Sequence, residues 1–72
     1  MTFGEFARLK RQRANLSQTD VAAGMGLANK SGVYKLETGL HHWKLDQLFL
    51  FAQVLGLRPS QLLAEYENQE GG

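Results

Sequence analysis

The sequence predicts an all-α domain of five short helices. Three observations carry that reading. Apolar residues recur at three- and four-residue spacing, as a helix with about 3.6 residues per turn needs in order to bury one side. Cap and stop residues punctuate the chain between those apolar groups. No stretch alternates apolar and polar residues as a half-buried strand would.

Taken in order, Thr2 with Glu5 three residues on forms a capping-box pattern, and Phe3, Phe6 and Ala7 follow at helical spacing. The first helix therefore spans residues 3–14 and carries Arg8, Lys10, Arg11 and Arg13. Asn15 tolerates the left-handed conformation that closes a helix. Ser17 is the next cap and opens a helix through Val21 and Ala22 to Met25, where Gly26 allows a sharp turn. Asn29 caps a third helix over 30–38, with Val33 and Leu36 inward and Gly39 as its stop. Residues 40–44 have no period and read as a loop. Leu45, Leu48, Ala52 and Leu55 mark the inward side of a fourth helix, with Phe49 and Phe51 at its edges. Pro59 suits the first position of a fifth, whose apolar side is Leu62, Leu63 and Tyr66. The domain is expected to occupy 1–66, with 67–72 as a flexible acidic tail.

Size and composition exclude several classes of function. At 72 residues this is one domain with a small core, and such a chain gains from a partner subunit. There is no cysteine, so disulfides, thiolate metal sites and cysteine nucleophiles are ruled out. The longest apolar run, 48–52, is too short for a membrane span or a signal-peptide core, so a cytoplasmic protein is expected. The net charge of +1 conceals an asymmetry. Eight Lys and Arg stand against four acids over 1–64, leaving +4 on that body, and three acids follow it. A basic body suits a polyanionic partner.

The most informative segment is 16–39. Two short helices are joined by a glycine-containing turn, with Ala22 and Ala23 where backbones can approach closely. That is how a helix-turn-helix is built, its second helix lying in the DNA major groove. The run Leu-Ser-Gln…Val-Ala…Met-Gly…Val-Tyr-Lys-Leu-Glu-Thr-Gly resembles the Cro/C1-type (Xre-like, lambda-repressor-like) helix-turn-helix family of bacterial and phage regulators. Phe-Gly-Glu-Phe-x-Arg-x-Lys-Arg at 3–11 is similar to that family's first helix, and Leu-Asp-Gln-Leu…Leu-Gly-Leu-x-Pro-Ser-Gln-Leu-Leu at 45–63 to its fourth and fifth.

The resemblance implies a sequence-specific regulator, expected to be a repressor or autoregulator, bound as a dimer to an inverted repeat of double-stranded DNA. Gln18 and Thr19 would meet a phosphate at the start of the second helix. Asn29, Lys30, Ser31, Gly32, Tyr34 and Lys35 would face the groove, and Lys44, with Trp43 and His42, would follow the sugar-phosphate backbone. Arg11 and Glu37 align with positions that pair in some members, tying the first helix to the end of the third. Gly32 departs from a good helix former; either the backbone must approach DNA closely there, or a short helix simply tolerates it. One extra residue precedes Val33, which lengthens the turn.

On the fourth helix Leu50 and Val54 fall opposite the inward side, one turn apart, and are expected to face water on a monomer. With Leu63 and Tyr66 they are the candidate homodimer contacts, in a family that commonly dimerises through its fourth and fifth helices. Another protein, such as the toxin of a toxin–antitoxin pair, is the alternative partner. Gly24 to Ser31 is a near-miss to a phosphate loop, but Asn29 replaces the needed glycine and a helix precedes it where a strand is required. His41 and His42 are adjacent, point apart and lack a third ligand, so no metal site is expected. No cofactor and no enzymatic activity are expected either.

Overall fold

A computed structural model of the chain describes residues 1–71. It contains α1(Phe3–Arg13), α2(Gln18–Met25), α3(Lys30–Thr38), α4(Leu45–Val54) and α5(Pro59–Gly71), and no strand among the described residues. Its radius of gyration, 11.1 Å, is that of a close-packed chain of this length.

Local chemistry sets most boundaries. The Thr2 hydroxyl accepts the Glu5 N–H at 3.1 Å, and the Glu5 carboxylate accepts the Thr2 N–H at 2.8 Å, so both partners of the box are satisfied. Ser17 and Asp20 repeat the arrangement at the start of α2, with both bonds at 2.9 Å. The carboxyls of Glu5 and Asp20 are held below their ordinary pKa, first by the backbone N–H each accepts and then by the hydroxyl beside it. Asn15 adopts φ +58° after α1, and Gly26 φ +75° after α2, where the Leu27 N–H reaches back to the Ala22 carbonyl at 2.9 Å.

The core is formed by Phe6 and Ala7 of α1, Val21, Ala22 and Met25 of α2, Val33 and Leu36 of α3, Phe51 and Ala52 of α4, and Leu62 of α5. An aromatic group closes one side of it. Phe3 stands edge-on to both Trp43 and Tyr66, at 5.0 and 5.2 Å between ring centres, and Trp43 meets Phe51 at 5.4 Å. Gly4 allows α1 to lie directly on α3, because a side chain there would come within 2.6 Å of the Leu36 and Glu37 carbonyl oxygens.

Two sequence expectations are corrected here. α4 is rotated from the orientation expected of it. Phe51 and Ala52 are its buried residues, whereas Leu45 is 69% and Phe49 50% exposed. Leu50 and Val54 are half-buried against the core, and Val54 lies where a side chain on Gly24 of α2 would stand. The segment from 67, expected as a tail beyond the domain, continues α5 to Gly71. Ala64, Glu65, Glu67 and Gln69 are all good helix formers, and no breaker interrupts them. Gly72 lies outside the described residues.

Candidate nucleic-acid interface

The site is built on α3 and on the elements that hold it. Asn29 caps α3 by accepting the Ser31 N–H at 2.9 Å, and Lys30, Ser31 and Tyr34 are exposed beyond it. Val33 and Leu36 turn inward, so the helix presents a polar, basic side to solvent and an apolar side to the core. The opposite end of α3 is tied down. Glu37 is only 5% exposed, and its carboxylate takes Arg11 Nε at 2.6 Å, Arg11 Nη2 at 3.3 Å and Gln18 Nε2 at 3.1 Å. Arg11 Nη1 also donates to the Leu16 carbonyl at 2.9 Å. Three helices thus meet on one buried carboxylate, with each charged atom hydrogen-bonded, as a low-dielectric setting demands. Among the described residues no buried side-chain nitrogen or oxygen is left without a partner.

Thr19 is exposed in the first turn of α2, where free N–H groups favour an anion. Lys44 is exposed just before α4, its N–H donating to Gln47 at 2.9 Å. Lys30 on α3, Thr19 at the start of α2 and Lys44 before α4 are thus exposed groups suited to an anionic partner. A family model described as a helix-turn-helix domain matches residues 2–65. The chain belongs to that family. No curated protein and no solved structure matches it. Membership in a family of helix-turn-helix domains points to DNA as the partner of this surface, with α2 and α3 as the two helices of the motif.

Within the helix-turn-helix the sequence-predicted residues divide into two groups. Thr19, Asn29, Lys30, Ser31, Tyr34 and Lys44 are exposed, Lys35 is half-buried, and all lie on α3 or on the segments flanking it. Gln18, Gly32 and Trp43 behave otherwise. The Gln18 amide is given to Glu37, so Gln18 joins the buried pair to α2. Gly32 is turned toward the turn that precedes α3. A side chain there would meet the end of the Leu27 side chain at 3.2 Å, a tight contact that gives the glycine a packing role. Trp43 leaves the loop and enters the aromatic group, its indole N–H donating to the Leu36 carbonyl at 3.1 Å. His41 and His42 remain exposed.

The candidate dimer residues divide likewise. Leu63 is 37% exposed, but Tyr66 packs on Phe3 and Phe6 and donates to the Met1 carbonyl at 3.2 Å. With Leu50 and Val54 also packed inward, the uncovered apolar residues of α4 are Leu45 and Phe49, four apart and one above the other. Sequence reasoning missed them, together with the Gln18 bond. Leu45 and Phe49 share a spacing that suits core and surface alike, and Gln18 reaches a partner 19 residues away.

Proposed function

We propose that this chain is a sequence-specific regulator of Cro/C1 type that binds double-stranded operator DNA as a homodimer, in the cytoplasm and without catalysis. The observation that carries the reading is the division of α3 between a locked end and a displayed one. A helix held at one end by a buried ion pair, with Lys30, Ser31 and Tyr34 exposed and Lys35 half-exposed along the rest, suits rigid insertion into a major groove. Lysine can donate to guanine O6 and N7, and serine can contact more than one base. Thr19 and Lys44 would take phosphates on either side and set the register. Repression would follow from occupying a promoter.

Dimerisation is favoured by Leu45 and Phe49, large apolar side chains left uncovered on a chain too small to forgo burial. A symmetric contact would place two copies of α3 about one helical turn of DNA apart, 34–36 Å, and so select an inverted repeat. Phe49→Glu should convert a dimer to monomer by sedimentation and weaken operator binding. A variant that sediments as the wild type does would remove Phe49 from the interface.

The same uncovered face favours one second reading, in which α4 docks a different protein, as in the antitoxin of a toxin–antitoxin pair. Fluorescence-anisotropy binding to the chain's own upstream DNA and to a randomised duplex pool, at two salt concentrations, tests the regulator reading, whose operator binding an antitoxin would share. The regulator requires tight, saturable binding to the upstream DNA alone. Weak binding, equal on both, would favour the protein partner.

A further inference from the structure

The four cations of α1 have different fates. Lys10 pairs with Glu65 at 2.6 Å and Arg11 with Glu37. Arg8 and Arg13 are exposed and have no acidic partner among the described residues. On a helix, Arg8 and Gln12 share a face, roughly 40° apart, whereas Arg13 points roughly 140° away from Arg8. Arg8 and Gln12 stand in the wall of an open depression of about 510 Å³ between α1 and α3, which Gln18, Tyr34 and Thr38 also line. Arg13 borders a separate, smaller depression with Leu55 and Leu57.

We propose that the larger depression seats a stretch of DNA sugar-phosphate backbone, with Arg8 donating to a phosphate and Gln12 beside it. The footprint would then extend beyond the two helices of the motif onto α1. This follows only if α3 enters the major groove, as proposed above. A helix with its side chains is about 10–12 Å across and the major groove is about 12 Å wide. An element packed beside a groove-filling helix therefore lies over a phosphate strand and not over bases. α1 is such an element, because Gly4 brings it into backbone contact with α3.

The charges in the wall agree. Among the described residues two acids border the depression, Glu5 and Glu37. Glu37 is buried and taken by Arg11 and Gln18, and Glu5 accepts the Thr2 N–H. Among the described residues of the wall, Arg8 is the cation not already engaged, and its planar fork fits two phosphate oxygens. Leu9 and the Tyr34 ring supply apolar surface for deoxyribose in the same wall.

The test is the salt dependence of binding to operator DNA by the full chain and by Arg8→Ala, Arg8→Lys and Arg13→Ala. Each lost phosphate contact lowers the slope of log K against log salt by about 0.9. Arg8→Ala should lose about one such unit, so that its deficit against wild type shrinks about threefold between 50 and 200 mM salt. Arg8→Lys should keep the slope, and Arg13→Ala, an equal change of net charge, should keep it too. Phosphate-ethylation interference should show one sensitive phosphate in the wild type that Arg8→Ala no longer feels. A wild-type slope in Arg8→Ala, or an equal loss in Arg13→Ala, would overturn the proposal while leaving the groove reading intact. A wild-type chain that binds no duplex above random background would overturn both.

Discussion

The two ends of α3 are held in opposite ways. Its C-terminal end is gripped from every side. Gly4 lies on the Leu36 and Glu37 carbonyls, Trp43 donates to the former, and Arg11 and Gln18 close on the Glu37 carboxylate. Its N-terminal end is held only locally, with the Ser31 N–H on the Asn29 side chain and the Gly32 N–H on the Asn29 carbonyl, and it exposes Lys30 and Ser31. Stability and recognition are thereby assigned to different turns of one helix. Residues that display chemistry carry little of the fold, and residues that carry the fold display nothing. Exposed side chains can change at the free end without risk to the domain.

Breaking the gripped end should have the largest effect. Glu37→Ala would leave the Arg11 guanidinium, itself mostly buried, without its counter-charge. Removing one member of a buried pair costs about 3–5 kcal/mol, a large share of the stability of so small a domain. Urea unfolding should show this directly, and a loss below about 1 kcal/mol would mean that the pair contributes little to holding α3. Gly4→Ala should come next, at about 1–3 kcal/mol. The added carbon meets backbone carbonyls, which cannot swing aside as a side chain could, so α1 must lift away from α3.

Changes at the free end should be felt only by DNA. Lys30→Ala should leave the unfolding free energy within about 0.5 kcal/mol of wild type. It should also cost about 1–3 kcal/mol of discrimination at one base pair of the operator. Lys44→Ala, on the flank, should weaken all sequences alike and lower the salt slope by about one unit. Equal effects of the two on cognate and random duplexes would erase the distinction between a reading end and a clamping flank.

The same contrast explains what could be read in the sequence. Helix boundaries were legible because caps act locally: Asn29 and Gly39 enclose α3 at Lys30–Thr38, and Ser17 opens α2 at Gln18. The facing of α4 was not legible. Seven of the ten residues in Leu-Asp-Gln-Leu-Phe-Leu-Phe-Ala-Gln-Val are apolar, so every direction around the helix offers a plausible inward side. Gly24 of α2 breaks the tie by making room for Val54, a packing fact with no trace in the periodicity of α4. Arg11 and Glu37 were found through resemblance, but the third member, Gln18, requires knowing how α2 crosses the end of α3.

The smallest expected effect concerns the caps of α1 and α2, which lie outside both ends of the comparison. Glu5 and Asp20 titrate below their ordinary values in the folded chain because each accepts a backbone N–H and a hydroxyl bond that the unfolded chain lacks. A carboxyl whose folded pKa is lowered contributes stability above its unfolded value and loses that contribution as pH falls through the folded one. Stability should therefore stay level from neutral pH to the ordinary carboxylate range and decline below it as the two boxes protonate. The paired variant Glu5→Gln, Asp20→Asn keeps acceptors at both positions but removes the titration. Thermal unfolding followed from pH 7 down to pH 3 should show a shallower acid decline for that variant than for wild type. Parallel curves would place the acid sensitivity elsewhere, at the remaining carboxyls. Because α1 and α2 both close on Glu37, a cap lost in acid would loosen the grip on α3 before the exposed turn of α3 changed at all.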